Sequence, residues 1–293
     1  MISVFGSVNM DLVAYVSKAP GRGETVTGRA FRTIPGGKGA NQAIAAARAG
    51  SEVSFLGAVG DDEFGGLMRD ALLGAGIDVR GLRRVPGPSG IAHIVVDDGG
   101  GNSIIVVPGA NGTVRGPSGE DLAVIARSAA LLLQLELPME AVIRAAQAAR
   151  VCGAPVILTP APSQPLPQDL LEAVTLMVPN EHEAADLTGC AEPEEALEAL
   201  LELVPEVVVT LGSRGALYGS RDGARVRVPA VPVRAIDTTA AGDTFVGALA
   251  VARSEGMPPA EALRFASVAA SIAVTREGAS TSMPIRWEID AAL

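Results

Sequence analysis

Short apolar runs alternate with helix-like segments along most of this chain, and this alternation constrains the fold more than any other feature. The strand-like runs are rich in valine, isoleucine and leucine and lie at 2–8, 53–59, 131–135, 156–158, 176–178 and 207–211. Helix-like segments, such as the alanine-rich stretch 40–49, lie between them. Continuous apolar strands separated by helices are typical of a mostly parallel sheet covered on both faces. We therefore predict a doubly wound α/β fold.

Two early segments do not fit this pattern. The strands expected within 12–33 and 88–107 alternate polar and apolar residues, as half-exposed strands do. We predict that residues 1–293 form a single α/β domain and that 12–33 and 88–107 form an inserted β-sheet lid over it. Because open sheet edges pair readily, the lid sheet is also expected to join two copies in a homodimer.

Charge and hydropathy exclude several kinds of partner. The chain has 33 Asp and Glu residues against 23 Lys and Arg, giving a net charge of −10 that repels nucleic-acid backbones and anionic lipid. The longest apolar run, 122–137, is interrupted by Arg127 and Glu136, so no membrane span is expected. Cys152 and Cys190 lack the spacing of a metal or redox motif, and no secretory signal precedes the first strand. These features favour a cytoplasmic location.

Polar residues follow several of the predicted strands. Asn9 and Asp11 come after the first strand, and Glu136, Asn180 and Gly212 come after later ones. In doubly wound sheets, ligands bind outside the carboxyl ends of the strands. The sequence therefore predicts a ligand site at this edge of the sheet.

The stretch Asp237–Phe245, DTTAAGDTF, combines two acids with small residues at the start of a predicted helix. Ala240, Ala241 and Gly242 allow a ligand to approach the backbone, and unpaired amides at a helix start favour an anion. Asp243 is placed to accept the proton of a hydroxyl that attacks a phosphoryl group. Alternatively, Asp243 is only an acid that stabilises the first helical turn.

A second motif, PGGKGAN at 35–41, also opens a helix. Its glycines let backbone amides crowd a polar ligand, and Lys38 and Asn41 supply donors. The Walker A spacing is absent from the chain, so this is a different kind of polar loop. A glycine-rich helix start can equally be structural punctuation.

Two further motifs are consistent with a nucleotide site. Asn180 to Glu183, NEHE, could act on hydrated Mg²⁺ and phosphate, because magnesium keeps most of its waters and takes few protein ligands. The alternative is a capping Asn with first-turn acids. The stretch TLGSRG at 210–215 would form an amide-rich loop for nucleotide phosphates or ribose, or equally a tight hairpin turn.

Taken together and in this order, the motifs resemble the ribokinase family, within the phosphofructokinase B-type sugar kinases. The matching stretches are GSVNMD at 6–11, PGGKGANQA at 35–43, QLELP at 134–138, PNEHEA at 179–184, TLGSRG at 210–215, DTTAAGDTF at 237–245 and AVTREGAS at 273–280. The resemblance implies transfer of phosphate from ATP, with Mg²⁺, to the 5-hydroxyl of D-ribose. It also implies an α/β domain whose β-sheet lid pairs into a dimer.

The resemblance further assigns roles to individual residues. The sugar would be held by Asn9, Asp11, Gly37, Lys38, Asn41 and Glu136, and by Asp243. Asp243 would be the catalytic base, with Ala240, Ala241 and Gly242 forming the anion hole. ATP would contact Asn180, Thr210, Leu211, Gly212, Ser213, Arg214, Gly215, Gly242, Asp243 and Ser267. Glu183 would order a magnesium-bound water.

The first acid of DTTAAGDTF is given a different role by the resemblance. Asp237 would lie at a monovalent-cation site, usually for potassium, with the backbone oxygens of Thr239, Ala273, Arg276 and Gly278 and the hydroxyl of Ser282. One position departs from the family, since Ser267 stands where relatives often carry His or Asn beside the adenine.

Three alternative functions are considered beside this reading. A kinase for another sugar or a nucleoside would share the fold, and a nucleoside would need an apolar slot for its base. A non-catalytic sugar sensor would lack the base or the anion hole, and both are present. A nicotinamide-dependent oxidoreductase would need G-x-G-x-x-G after the first strand, where the chain has GSVNMD instead.

Overall fold

The computed structural model describes residues 1–99 and 101–293, and within them the chain forms two β-sheets flanked by helices. The strands are β1 (Ile2–Phe5), β2 (Asn9–Tyr15), β3 (Ala30–Gly36), β4 (Val53–Gly60), β5 (Leu82–Val85), β6 (Gly90–Val96), β7 (Asn102–Val107), β8 (Ala130–Leu133), β9 (Val156–Leu158), β10 (Leu176–Met177), β11 (Glu206–Thr210), β12 (Ala216–Ser220) and β13 (Arg225–Val228). The α-helices are α1 (Lys38–Arg48), α2 (Glu63–Gly74), α3 (Gly119–Ile125), α4 (Met139–Cys152), α5 (Gln168–Leu171), α6 (Glu181–Thr188), α7 (Pro193–Leu201), α8 (Ala241–Ser254), α9 (Pro259–Val274) and α10 (Arg286–Asp290).

The large sheet has the strand order β13-β12-β11-β10-β9-β8-β1-β4-β5. From β1 the chain builds outward through β4 and β5 on one side, then returns to build through β8 to β11 on the other. These pairings are parallel, and β12 and β13 add an antiparallel edge. The predicted doubly wound, mostly parallel sheet is confirmed.

Both faces of the large sheet are buried, which explains the continuous apolar strands. Val4 and Leu132 pack on one face with residues of α1, α8 and α9. Phe5 and Leu133 belong to a second core cluster, together with residues of α4 and α7. Successive residues of a strand point to opposite faces, so each strand contributes to both clusters.

The small sheet has the order β3-β2-β6-β7. Asn9 pairs with Gly36 on β3 and with Gly90 on β6, so the base of this sheet starts directly beyond β1. The first strand, predicted at 2–8, ends at Phe5, and Asn9 and Asp11, predicted to follow it, belong to the next strand, β2. The second strand of the segment 12–33 begins at Ala30 and runs past the predicted end of the segment, into the glycine motif as far as Gly36.

Two other elements differ from the sequence expectation. β5 joins the large sheet beside β4, and α10 packs near the end of the chain, although neither was predicted. Both are short, so their sequence patterns carry little periodic signal. Within 1–99 and 101–293, helices with the length and hydropathy needed to cross a membrane are absent.

Candidate active site

Polar side chains converge at the carboxyl edge of the large sheet. Ser7 follows β1, Gln134 and Glu136 follow β8, and Thr159 follows β9. The N-terminal turns of α1 and α8 face the same place, since residues of both helices share hydrogen bonds there. Sequence stretches far apart in the chain thus form one polar cluster under the base of the small sheet.

Glu136 is held by three donors on one oxygen. Its Oε2 accepts hydrogen bonds from the Ser7 hydroxyl at 2.5 Å, the Lys38 backbone N–H at 3.1 Å and, at 3.5 Å, the Asn9 side-chain amide. These contacts join the end of β1, the start of α1 and the start of β2. The carboxylate is fixed in place, and its second oxygen is available to a ligand.

Asn9 is oriented by a residue that sequence reasoning missed. Buried Asn111 donates to the Asn9 side-chain oxygen at 2.8 Å and to the Val8 carbonyl at 2.9 Å, and accepts from the Val8 N–H at 3.1 Å. Asn111 lies in a short 3₁₀ helix, Gly109–Thr113, after the small sheet. In the sequence it looks like an ordinary turn residue, so no signal pointed to it.

The first two glycines of the PGGKGAN motif are required by close packing. Gly37 has a φ of 94°, and a Cβ there would lie 2.7 Å from the Asn9 backbone nitrogen. A Cβ on Gly36 would overlap the Asp11 carboxylate. Glycine is needed where the backbone is left-handed or approached this closely. The pair lets β3 end against β2 and brings Lys38 beside Glu136.

Asp243 lies in the first turn of α8 and is half-buried. Its carboxylate accepts hydrogen bonds from the side-chain amides of Asn41 at 3.2 Å and Gln42 at 3.0 Å. Burial raises the pKa of Asp243 to about 6, while Lys38 and the two amide donors oppose the rise. At neutral pH the group is therefore largely ionised and remains basic enough to accept a proton.

Two more charged groups complete the cluster. Burial, with the negative charges of Glu136 and Asp243, raises the pKa of Asp11 to about 7. Burial alone would lower the pKa of Lys38, but the carboxylates of Asp243, Glu136 and Glu183 raise it above its usual value. Asn41 contributes a side-chain oxygen that is buried without a hydrogen-bond partner among the described residues. This oxygen could accept a bond from a bound hydroxyl.

The start of α8 provides free backbone donors. Ala240 precedes the helix in a left-handed conformation with a φ of 57°, which is unusual for a residue with a Cβ. The Ala241 N–H donates to the Thr238 carbonyl at 3.2 Å, and the Thr244 N–H donates to Ala240 at 2.8 Å. Within the described residues, the amides of Gly242 and Asp243 are left without an acceptor. An anion at this helix start would be stabilised by these amides and by the helix dipole.

A cavity of about 520 Å³ opens beside the start of α8. Among the predicted ATP contacts, its wall contains Thr210, Gly212, Ser213, Gly215, Gly242 and Ser267. Ala241, predicted for the anion hole, also lies in this wall. Sequence reasoning missed the rest of the wall, which is mostly apolar and comprises Ala230, Val231, Pro232, Val233, Ala235, Thr238, Phe245, Ala270, Ser271 and Val274. The stretch 229–236 has no regular secondary structure, so its sequence showed no period that could have identified it.

The TLGSRG stretch is a hairpin turn that also borders this cavity. It connects β11 to antiparallel β12 through a 3₁₀ turn, Gly212–Arg214. Gly215 has a φ of 95°, and a Cβ there would lie 2.7 Å from the Ala230 nitrogen. Leu211 is buried, and Arg214 forms an exposed ion pair with Glu181. The structural and the ligand-binding interpretations are therefore compatible.

Asn180 and Glu183 form a reciprocal capping box at the start of α6. The Asn180 side chain accepts from the Glu183 N–H at 2.8 Å, and the Glu183 carboxylate accepts from the Asn180 N–H at 2.9 Å. Burial raises the pKa of Glu183, although the bond from Asn180 and the charge of Lys38 oppose this. The capping alternative thus describes the local geometry, and it leaves each side chain one further oxygen or amide for other contacts.

Asp237 ties two loops together behind α8. Its carboxylate accepts from the Thr239 amide at 2.9 Å, the Thr239 hydroxyl at 2.6 Å and the Gly278 amide at 2.9 Å. Burial acts to raise the pKa of Asp237, but these hydrogen bonds lower it below its ordinary value. The backbone oxygens of Thr239, Arg276 and Gly278 accept no hydrogen bond among the described residues. The Ala273 oxygen accepts from the Arg276 N–H, and the Ser282 hydroxyl donates to Ala279.

The described residues contain no cluster of three or more His, Cys, Asp or Glu side chains suited to a metal. A protein cage for a divalent ion is therefore absent from this part of the chain.

Comparison with known sequence families matches residues 1–286 to the pfkB family of carbohydrate kinases. The chain belongs to the pfkB family. Ribokinase from Bacillus subtilis is 42% identical over 295 residues, covering 100% of this chain and 99% of that protein. Deoxyribokinase from Salmonella typhimurium is 36% identical over 295 residues, covering 97% and 95%.

A solved structure of Arabidopsis thaliana ribokinase complexed with ribose and ATP resembles this pfkB chain with a TM-score of 0.94. The two are 36% identical, and the match covers 99% of this chain and 97% of the plant protein. The predicted family and fold are both confirmed, and the oxidoreductase alternative has no support.

Proposed function

We propose that this pfkB kinase transfers the terminal phosphoryl group of ATP to the 5-hydroxyl of D-ribose. The observation that carries the proposal is the position of Asp243, whose carboxylate joins the polar cluster of Asn41 and Lys38 while its own amide lies at the free start of α8. A hydroxyl bound in the cluster would meet the base and the anion-stabilising amides together. The name and bound ligands of the plant ribokinase support ribose as the acceptor and ATP as the donor.

In this mechanism the ribose hydroxyls are held by Asn9, Asp11, Gly37, Lys38, Asn41 and Glu136. Asp243 accepts the proton of the ribose 5-hydroxyl while the oxygen of that hydroxyl forms a bond to the terminal phosphorus of ATP. At the same time, the bond from that phosphorus to the bridging oxygen of ADP breaks. Phosphoryl transfer has a loose transition state, so positioning and charge stabilisation outweigh base strength. The amides of Gly242 and Asp243 would stabilise the negative charge on the phosphoryl oxygens.

The nucleotide is assigned to the cavity beside α8. Its volume of about 520 Å³ lies in the range of small-molecule sites, and its apolar wall suits a base. Thr210, Gly212, Ser213 and Gly215 line the side nearest β11, where amide groups and hydroxyls can contact ribose or phosphate. Ser267 lies in the same wall and would replace the larger side chain expected beside the adenine.

Magnesium is assigned to the phosphates of ATP. When bound, it neutralises phosphate charge and orients the transferred group. Within the chain, Glu183 would hold a water of the ion through its carboxylate, while Asn180 fixes that carboxylate by the capping box. The absence of an acidic cage in the described residues fits a metal held mainly by nucleotide and water.

A monovalent cation, K⁺ in particular, is assigned to the loops joined by Asp237. The unpaired backbone oxygens of Thr239, Arg276 and Gly278 and the ionised Asp237 suit a hard cation. At constant ionic strength, replacing Na⁺ by K⁺ should raise turnover, and Asp237→Asn should remove the response. Equal rates in both salts for the unsubstituted chain would contradict this assignment.

A homodimer through the small sheet is also proposed. Apolar side chains lie exposed on its outer strands, with exposed fractions of 61% for Phe31, 53% for Ile104 and 68% for Ile105. An edge strand with such residues is a site of pairing unless it is covered. Sedimentation velocity should give a dimer, and Ile105→Lys should give a monomer with an unchanged circular-dichroism spectrum. A monomer without any substitution would overturn the dimer.

The sugar assignment is tested by measuring ADP release with ATP and Mg²⁺ against ribose, 2-deoxyribose, fructose and adenosine. Ribose should give the highest kcat/KM, and the similarity to a deoxyribokinase makes deoxyribose the main competitor. A clear preference for another acceptor would identify a different sugar or nucleoside kinase. No turnover with any acceptor, together with ribose binding, would identify a sugar sensor.

The role of Asp243 is tested by Asp243→Asn. Turnover should fall by about a hundredfold or more with ribose binding nearly intact, because general-base catalysis contributes on this order. Asp70→Asn, a substitution at an exposed position of α2, serves as a matched control. Full turnover in Asp243→Asn would remove this residue from the catalytic role.

A further inference from the structure

Gln42 is a polar residue with no exposed surface, one helical turn beyond Lys38 in α1. A buried amide must form hydrogen bonds to offset the loss of water. Its Nε2 donates to Asp243 Oδ1 at 3.0 Å and to the Thr159 hydroxyl at 3.1 Å. Its Oε1 accepts from Gln134 Nε2 at 2.6 Å. The four side chains form a buried chain of hydrogen bonds that ends at the carboxylate.

The direction of this chain follows from the charge of Asp243. An ionised carboxylate can only accept, so the NH₂ group of Gln42 must face it. The Gln42 oxygen then faces Gln134, which must present its own NH₂ group. This leaves the Gln134 oxygen buried without a partner among the described residues, in a space that a side chain on Gly6 would occupy. The unpaired oxygen is thus the cost of presenting donors toward Asp243.

We propose that Gln42 is a positioning residue for Asp243, and that Gln134 holds the Gln42 amide in the orientation this requires. The inference rests on the proposed function, since it concerns the base of that reaction. Gln42 cannot contact the sugar because its side chain has no exposed surface. Its effect on catalysis is therefore transmitted through the orientation and charge of the Asp243 carboxylate.

The other groups around Asp243 do not duplicate this role. Lys38 and Asn41 approach from α1, Glu136 from the end of β8 and Asp11 from β2. Lys38, Asp11 and Glu136 are assigned to the sugar, and the second side-chain atom of Asn41 is available to it. Gln42 and Thr159 bind no ligand in this scheme. Gln42 donates to Oδ1, and Thr159 accepts the other hydrogen bond of the Gln42 amide, which leaves Oδ2 and its partner Asn41 for the substrate.

The test compares Gln42→Met, Gln134→Met and the double variant. Gln42→Met keeps side-chain length but removes the donor, so kcat should fall about tenfold with the ribose KM changed by less than about threefold. Loss of a donor to the ionised form raises the pKa of the base, so the acidic limb of the kcat profile should move up by about half to one pH unit. Gln134→Met should shift the acidic limb of the kcat profile in the same direction, by a smaller amount than Gln42→Met does.

The double variant distinguishes positioning from a structural role. Because Gln134 acts through Gln42, kcat of the double variant should equal that of Gln42→Met within about twofold. If the two substitutions caused independent structural defects, their fold-reductions in kcat would instead multiply in the double variant. Val204→Ala provides a destabilised control whose pH profile should not move. Val204 is a core residue in the turn between α7 and β11, before that strand begins, whereas the network lies where β8 and β9 end.

The outcomes separate this inference from the proposed function. If the unsubstituted chain does not phosphorylate a sugar, the proposed function fails. If it does, and Gln42→Met keeps its kcat and pH profile, only the positioning role fails. If Gln42→Met does not fold, Gln134→Met decides, because an unchanged acidic limb in that variant would overturn the orientation of the amide chain.

Discussion

At the scale of single residues, Asp11 is a site residue that makes the ligand-free fold less stable. Its carboxylate lies near Glu136 and Asp243 and accepts no hydrogen bond among the described residues. Burial and these like charges raise its pKa from 3.8 to about 7. Between those two pH values the folded chain binds more protons than the unfolded chain. Stability is therefore lost as the pH rises through this window.

Asp11→Asn should consequently stabilise the ligand-free chain at pH 8 while weakening ribose binding. The expected gain in the free energy of unfolding is on the order of 1 kcal/mol at pH 8 and smaller at pH 5. Urea unfolding at both pH values, with Asp70→Asn as the exposed control, measures it. A variant that is less stable than the unsubstituted chain at pH 8 would contradict the prediction.

Residues that stand out chemically in an apolar chain could be found from the sequence, and residues that act by pairing could not. Asp243, Lys38 and the glycines of PGGKGAN were singled out because charge and glycine at a helix start suit an anion or a polar ligand as well as a structural role. Gln42, Gln134 and Asn111 were not. Their partners lie about a hundred or more positions away, at 201 for Gln42 and Asp243, and an amide in a helical or turn pattern looks exposed.

At the scale of elements, the site depends on how closely α1 and α8 pack. Gly247 lies one turn after Asp243 on α8 and faces α1. A Cβ there would lie 2.7 Å from the Gln42 carbonyl oxygen and 2.8 Å from the Ala46 nitrogen. Only a residue without a side chain allows the two helices to meet at this distance. The same approach brings Gln42 within reach of Asp243.

Gly247→Ala should therefore lower both stability and turnover. Overpacking costs about 1–3 kcal/mol, which outweighs the helix-propensity gain of up to about 1 kcal/mol. Turnover should fall severalfold further, because α1 moves away with Gln42. Gly66→Ala on α2 is the matched control, since a Cβ there would meet no atom within 4 Å. That control should be slightly stabilised, and a Gly247→Ala chain with the same gain would refute the packing argument.

Elements were predicted best where a periodic pattern of apolar residues continued over many positions, because those residues form the core. The helix predicted to start at DTTAAGDTF was found at 241–254, because its apolar residues are sustained over several turns. The four-residue β5 and the irregular wall at 229–236 gave no such period. The left-handed Ala240 was also beyond prediction, since sequence rules place glycine in that conformation.

At the scale of the whole molecule, the site lies where two sheets meet. The small sheet contributes Asn9 and Asp11 at its base, and the large sheet and its helices contribute the remaining polar cluster. Farther out, β3 meets the segment that follows α9 through the exposed pair of Arg32 and Glu277 at 3.9 Å. Exposed pairs of this kind contribute about 0–1 kcal/mol, so this contact does little to hold β3 in place. That the small sheet acts as a lid stays a prediction.

Ribose should therefore order the small sheet over the site and exclude water, which otherwise could accept the phosphoryl group. Hydrogen exchange of the β2, β3 and β6 amides should slow on ribose binding, since the sugar would bridge Asp11 and the residues that follow β3. ATP alone should protect the segments 210–215 and 230–245 instead, because no small-sheet residue lines that cavity. Asp11→Asn, studied at the same ribose concentration, should lose most of the effect. Exchange in the small sheet that ribose leaves unchanged would show that the two sheets move as one rigid unit and that water is excluded in another way.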